Sequence, residues 1–406
     1  MCSDKVVVIG AGVVGLSIAL EAQARGLDVC VVERDAPAAG ASAGNAGAFA
    51  FSDILPLASP RIIRQAPRWL LDPLGPLSVP PRYALKITPW MLRFWRASRA
   101  ARVAASTEAQ TALMALSTAT LTPFLTRQKL AHMLQKRGQL QVYEGEKEFR
   151  ASLPGWDARK AAGIAFRHVK GDEIAEIQPG LDARFTPDWC SITDPRDYTL
   201  ALADAFSAAG GKIIIAQAIR LTATGVETSA GPLTGRVVLA AGAHSHLLAR
   251  TAGAKIPLET ERGYNTTLPA NAFDLKTQVT FGGHGFVITS LTSGIRVGGA
   301  VELGGLNLPP NYARADAMLK KAKRFLPGLN IEGGKQWMGF RPSLPDSLPA
   351  LGPLARQPNT ICAFGHGHLG LTQSTGTAAI IADMLEGRPA QIDLAAFSPQ
   401  RFTRAS

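Results

Sequence analysis

The most constraining feature of the chain is its beginning. A β-branched run, Val6-Val7-Val8-Ile9, leads into Gly10-Ala11-Gly12-Val13-Val14-Gly15 and then into a helical pattern that reaches about Arg25. Gly26 ends that helix, and Val29 to Val32 forms a second strand that closes on Glu33. A strand, a glycine turn, a helix and a second strand with an acid about 20 residues beyond the glycines make a dinucleotide-binding unit. Gly10 permits the tight turn, Gly12 lets a pyrophosphate approach the backbone, and Gly15 lets the helix pack closely on the strand. The helix N-terminus attracts phosphate, and Glu33 can accept hydrogen bonds from a ribose diol. Gly10, Gly12, Val14, Gly15, Glu33 and Arg34 are the cofactor-binding positions expected here.

At 406 residues and 46% hydrophobic, the chain is long enough for two domains or one large one, which excludes a disordered tail or a miniprotein. The formal charge of +12 admits nucleic acid, anionic membrane or acidic small molecules as partners. Cys2, Cys30, Cys190 and Cys362 lie far apart with no CxxC spacing, so neither a zinc site nor a disulfide framework is expected, and a reducing compartment fits best. The short apolar run before Gly10 does not make a signal peptide, and no apolar stretch is long enough to span a bilayer. A cytoplasmic location is therefore expected. His366 with His368, and His244 with His246, have HxH spacing, but no carboxylate or cysteine clusters with them, so no metal is expected.

A second GxGxxG match, Gly365-His366-Gly367-His368-Leu369-Gly370, follows a strand-like Thr360 to Phe364 and precedes a helix from about Leu371 to Leu385. No strand bearing an acid follows, so it is not a second dinucleotide fingerprint; it offers a flat ring a set of backbone N–H groups. Between these ends, residues 56–89 carry eight prolines and are expected to form short helices and loops. Trp90 to about Lys136 reads as helix interrupted near Pro123, Gln139 to Tyr143 as a strand, Asp197 to Ala209 as a helix, and Lys212 to Ala216 and Arg236 to Ala240 as strands. Residues 256–305 alternate short strands with glycines, the pattern of an antiparallel sheet.

The run Gly40 to Gly47 has almost no bulky side chain, as expected where backbone wraps a large cofactor. Together with Gly10 to Glu33, the SxxNAG loop at Ser42 to Gly47, Asp194-Pro195, Ala240-Ala241-Gly242, Arg262-Gly263-Tyr264, Gly339-Phe340-Arg341-Pro342 with Pro345-Asp346, and Gly365 to Gln373, it resembles the D-amino acid oxidase-like superfamily of FAD oxidoreductases, and within it the bacterial D-amino acid dehydrogenases. The resemblance implies an α/β fold: a Rossmann-type FAD-binding domain in three segments, 1–60, 180–250 and 340–406, and an α+β substrate domain, 61–179 and 251–339, with a mostly antiparallel sheet covering the flavin. It implies that Arg341 grips a substrate carboxylate, that Tyr264 is an aromatic residue near the substrate, and that Ser42, Asn45, Ala46, Gly47, Ala241, Gly242 and Gly367, Leu369, Gly370, Leu371 and Thr372 hold the FAD. His368 stands where the best-known members carry a smaller residue, and Gly365 to Ser374 is more similar to the branch with D-hydroxyproline dehydrogenases; His368 is an expected polar group of the active site. Covalent-flavin sarcosine oxidases carry a cysteine in the segment matching Gly339 to Arg341, and this chain has none there, so the FAD is expected to be non-covalent.

The chemistry is consistent with those roles. Oxidising an amine at a flavin requires a free amine with its Cα–H aimed at N5, so orientation is the main task. A guanidinium fixes a carboxylate at two points, and a helix beginning after Gly370 would stabilise charge near N1 and C2=O. The expected substrate is a D-amino acid or a cyclic D-imino acid such as cis-4-hydroxy-D-proline, with a quinone or another electron-transfer partner as acceptor. An oxygen-using oxidase, a tRNA-modifying flavin enzyme and a non-catalytic flavin subunit are the alternatives; no RNA-binding module is recognisable, so nucleic acid is not an expected partner. Residues 61–102 hold eight Arg and one Lys against the single acid Asp72, with Trp69, Trp90 and Trp95 among them. That strip is either a peripheral contact with the inner face of the cell membrane or a packed helical part of the substrate domain with its arginines in water.

Overall fold

The computed structural model describes residues 5–402 apart from 71, 73, 170, 171, 180–182, 187 and 188, so Cys2, Pro73 and the start of the expected 180–250 segment lie outside the described residues. The N-terminal unit forms as read: strand Lys5–Ile9, helix Val13–Ala24, strand Asp28–Glu33. These strands lie in a six-stranded sheet ordered Lys212–Ile215, Asp28–Glu33, Lys5–Ile9, Arg236–Leu239, Gln357–Phe364, Ala350–Leu354. The first five are parallel, and the last is an antiparallel edge. A parallel sheet is covered on both faces and its strands are apolar throughout. Accordingly Val6 and Val8 pack with Leu16, Ile18 and Ile381 on one side, and Val7 and Ile9 pack with Leu239, Leu248 and Phe364 on the other.

A nine-stranded sheet runs through Lys335–Ser343, Glu259–Leu268, Gly294–Leu303, Phe286–Leu291, Gln278–Phe281, Gln139–Val142, Ala183–Thr186 and Arg167–His168, with Leu77–Ser78 beside Gly294–Leu303. It is antiparallel except where Gln278–Phe281 meets Gln139–Val142 and where Leu77–Ser78 joins. The expected sheet is there, although two of its strands have ten residues rather than being short. Helix Ala313–Phe325 packs on one face through Ala315, Met318, Leu319 and Ala322 against Tyr264, Leu268, Ile295 and Val297.

Three expectations are corrected. Ala183–Thr186, placed by sequence among the cofactor-binding segments, pairs with Gln139–Val142 in the second sheet. The long helix expected from Trp90 starts earlier, as Ala84–Ala97, restarts as Ala100–Arg127, and passes through Pro123 without a break. A proline removes one helical hydrogen bond, but burial of Leu113, Met114, Leu121, Phe124 and Leu125 along the same helix outweighs that loss. The C-terminal helix begins at Ser374, so three residues of turn separate it from Gly370. Among the described residues no helix is long and apolar enough to cross a membrane.

Candidate active site

At the first strand's end Gly10 has φ +112°, and a Cβ there would collide with the carbonyl oxygen of Ala240 on the neighbouring strand. A Cβ on Gly15 would collide with the carbonyl oxygen of Gly10, so Gly15 sets the distance of helix to strand and lies behind the cavity wall. A Cβ on Gly12 would come within 3.1 Å of Ser42 Oγ, the hydroxyl that accepts the Val13 N–H at 2.9 Å. The Glu33 carboxylate is fixed by N–H groups from Ala11 (2.7 Å), Arg34 (2.8 Å) and Asp35 (3.2 Å). Oε1 takes two of these and Oε2 one, so Oε2 keeps acceptor capacity for a diol. Arg34 is half exposed, pairs with Asp35 at 2.9 Å and lies 3.4 Å from His244 Nε2.

The small-residue loop is pinned from both sheets. Asn45 Nδ2 donates to the Ser42 carbonyl (3.0 Å), and Asn45 Oδ1 accepts the Gly47 N–H (2.7 Å). From the second sheet, Asn265 Nδ2 donates to the Gly44 carbonyl and Arg296 Nη1 to the Asn45 carbonyl, each at 2.7 Å. Gly44 leaves room only for the Trp337 ring, with which a Cβ would collide. Gly367, φ +56°, donates its N–H to the Pro342 carbonyl (2.8 Å), tying the glycine turn to the strand that carries Arg341.

Strand alternation sorts the residues above this floor. In the pairing of Glu259–Leu268 with Lys335–Ser343, Glu261 opposes Arg341, Gly263 opposes Gly339 and Asn265 opposes Trp337. Opposed residues share a face, and neighbours along a strand alternate between faces. These six residues therefore face the small-residue loop, and all six line the cavity. Arg341 Nη1 donates to the Ala300 carbonyl (3.0 Å) and Nη2 to that of Gly299 (3.5 Å), and its guanidinium lies where a Cβ on Gly263 would be. Desolvation pushes its pKa below the ordinary arginine value, against an opposing influence from Glu261. Among the described residues no carboxylate forms an ion pair with it.

Tyr264 is corrected by the same alternation. Its side chain lies on the opposite face with Arg262, next to Tyr312 and Arg314, although its strand borders the cavity. Its hydroxyl donates to Glu302 Oε2 and accepts the Asn311 N–H, both at 3.0 Å, while Glu302 pairs with the buried Arg262 at 3.1 Å. Tyr264 is thus part of a buried structural network, and Glu302 belongs to that network as well.

Of the other expected positions, Val14, Ala46, Ala241, Gly242, Gly370 and Leu371 line the cavity, whereas Gly47, Leu369 and Thr372 support its walls. Gly47 packs under Leu291, Leu369 is buried with Ile54 and Trp189, and Thr372 Oγ1 accepts the Ala50 N–H at 2.9 Å. His368 does line it, part-exposed, with Nε2 3.8 Å from Asp53 Oδ2; Asp53 also meets Arg159 at 3.3 Å. Burial alone would raise the Asp53 pKa, but His368 and Arg159 outweigh it and hold the carboxyl below its usual range. His366 is buried with Nε2 3.0 Å from Thr377 Oγ1, and burial pushes its pKa down to about 3. Sequence reasoning missed Asp53, Glu261, Asn265, Arg296 and Trp337. Period-2 alternation from Arg341 and Gly263 could have found Glu261, Asn265 and Trp337; nothing local marks Asp53 or Arg296.

The cavity holds about 1280 Å³, beyond the roughly 300–1,000 Å³ of a pocket for one small ligand, so a dinucleotide and a substrate fit together. The residues suit FAD: Gly12 lines the cavity at a helix start, the kind of place that attracts phosphate, Glu33 offers a diol acceptor, and Asn45, Ala46 and Gly367 leave a wall with few bulky side chains beside them. Ile62, Ile63, Trp90, Met91 and Phe94 line the same cavity as Arg341.

The family model described as FAD dependent oxidoreductase matches residues 5–384. A D-amino-acid oxidase of Bradyrhizobium diazoefficiens is 33% identical over 427 residues, covering 98% of each chain. D-amino acid dehydrogenases of Paramagnetospirillum magneticum and Rhizobium rhizogenes are 32% and 29% identical, covering 98% of this chain and 99% and 100% of theirs. Glycine oxidase from Geobacillus kaustophilus superposes with a TM-score of 0.78 at 21% identity, covering 98% of this chain and 99% of its own. L-proline dehydrogenase from P. horikoshii gives 0.75 at 20% identity, covering 98% and 97%.

Proposed function

The chain belongs to the DAO family of FAD-dependent oxidoreductases, and on that premise we propose that it oxidises a D-amino acid, or a cyclic D-imino acid such as cis-4-hydroxy-D-proline, and passes the electrons to a quinone or another acceptor. The observation that carries this reading is Arg341, an arginine on the cavity wall that no carboxylate of the described protein pairs with. Relatives named D-amino acid dehydrogenase support the substrate class.

Bound FAD supplies the acceptor for the hydride that leaves the substrate Cα. The protein's share is placement. Arg341 spends two of its five N–H donors on backbone carbonyls and keeps a fork for a carboxylate, which fixes the carbon next to it. The apolar wall of Ile62, Ile63, Trp90, Met91 and Phe94 excludes water and accepts the side chain. A primary amine yields an imine that hydrolyses to a 2-oxo acid; a cyclic one stays a cyclic imine. Cys30, Cys190 and Cys362 are buried away from the cavity, which favours non-covalent FAD.

A membrane-borne acceptor is favoured by the helix Ala84–Ala97. Its Ile87, Trp90 and Phe94 face inward, while Leu85 (91% exposed), Leu92 and Trp95 (51% each) form an outward stripe flanked by Lys86, Arg93, Arg96 and Arg99. Both sequence expectations for this strip thus have support on opposite sides of one helix. The relative named D-amino-acid oxidase favours oxygen as a second reading. A panel of D- and L-amino acids assayed in parallel for dye reduction and for peroxide separates the two. Dye reduction with D-substrates and little peroxide is expected; peroxide in step with turnover overturns the dehydrogenase assignment, and turnover of L-substrates alone overturns the D-specific one.

A further inference from the structure

Glu261 opposes Arg341 on the cavity face of the sheet and lines the same cavity. It is 5% exposed, and its Oε2 is buried with no hydrogen-bond partner. Leaving a buried carboxylate oxygen without a donor is strongly unfavourable unless something arrives to meet it. Arg341 acts on Glu261 only through space: its guanidinium points over Gly263 and binds the carbonyls of Ala300 and Gly299. One patch of cavity wall therefore carries a cation and an anion as strand neighbours, each with capacity left over. A ligand bearing only a carboxylate meets attraction from one and repulsion from the other. A ligand with a carboxylate and an ammonium on the same carbon satisfies both.

We propose that Glu261 is the second half of a zwitterion clamp: Arg341 holds the substrate carboxylate, Glu261 holds the α-ammonium, and Glu261 makes the site select amino acids over hydroxy acids and plain carboxylates. This rests on the amino acid reading given above and adds to it the residue that recognises nitrogen.

The test is calorimetric titration of the FAD-loaded protein with two ligands of one shape, 2-aminoisobutyrate and pivalate, which differ by an ammonium in place of a methyl group. Neither has a Cα–H, so neither is oxidised, and the result is independent of turnover. The wild type is expected to bind 2-aminoisobutyrate about tenfold or more tighter than pivalate, the scale of one charge-assisted hydrogen bond. In Glu261→Gln the ratio should shift toward pivalate by about tenfold or more, with pivalate itself bound tighter, and Glu261→Asp should restore the preference. A smaller shift, or equal weakening of both ligands, overturns the proposal. Should the Gln variant fail to fold, equal affinities in the wild type overturn it. If the ratio shifts as expected but no D-amino acid is turned over, the clamp stands and the dehydrogenase reading falls.

Discussion

Replacing Arg341 by methionine separates binding from stability. Arg341 has five N–H donors, two engaged by the Ala300 and Gly299 carbonyls. A carboxylate held by two of the remaining three gains two charge-assisted hydrogen bonds of about 1.5–3 kcal/mol each. Arg341→Met should therefore cost about 3–6 kcal/mol of transition-state binding, lowering kcat/KM by roughly two to four orders of magnitude. The same change removes a desolvated cation that has no anion paired with it, and apolar replacement of such a charge is often neutral or stabilising. The melting free energy should stay within about 1 kcal/mol of wild type, allowing for the Ala300 carbonyl left without its donor. Arg341→Lys keeps the charge but loses the fork, and should fall between the two. Dye-reduction kinetics, thermal melts and bound-flavin absorbance on the three proteins give the answer. A kcat/KM for Arg341→Met within about threefold of wild type, with FAD retained, would remove Arg341 from carboxylate binding.

Gly263→Ala puts a methyl group where the Arg341 guanidinium lies, so kcat/KM should fall about tenfold or more with bound FAD unchanged, because overpacking here displaces the side chain; undiminished kinetics would show that the guanidinium moves freely. His366 has its pKa pushed down to about 3 from an unfolded value near 6.5, so below pH 6.5 the unfolded chain binds a proton that the folded one does not. That loses up to about 1.4 kcal/mol of stability per pH unit between 6.5 and 3, and His366→Gln should flatten the fall in melting temperature between pH 7 and pH 5. Neutralising Arg93, Arg96 and Arg99 together should release the protein from anionic vesicles in co-sedimentation, by about 1 kcal/mol per charge; unchanged binding counts against the outward stripe of Ala84–Ala97 as a membrane face.

The parts of the site built from local backbone chemistry were legible in the sequence. The positions of Gly10, Gly12, Gly15 and Glu33 at a strand end, a turn, a helix and a second strand end follow from spacing alone, because these are local structures. The place of Arg341 on the cavity wall was expected through a resemblance rather than through its surroundings. Tyr264 was misread because its neighbour Gly263 faces the cavity and a strand sends the next side chain to the other side. Glu261 was missed for a related reason: alternation from Gly263 puts it on the cavity face, but only the pairing with a strand some eighty positions later shows that it stands opposite Arg341. Asp53 and Arg296 depend on tertiary contacts with His368, Arg159 and the Asn45 carbonyl, which no local pattern announces. Pro123 misled in the opposite direction, since core packing kept the helix intact where propensity argued for a break.

The most direct test of the central claim is anaerobic mixing of the purified FAD-loaded protein with single enantiomers of alanine and proline and with cis-4-hydroxy-D-proline, following the visible absorbance of the flavin. A D-amino acid dehydrogenase loses that absorbance with at least one D-enantiomer and not with its L counterpart. Bleaching by L-enantiomers alone, or by none of these compounds, would contradict that claim.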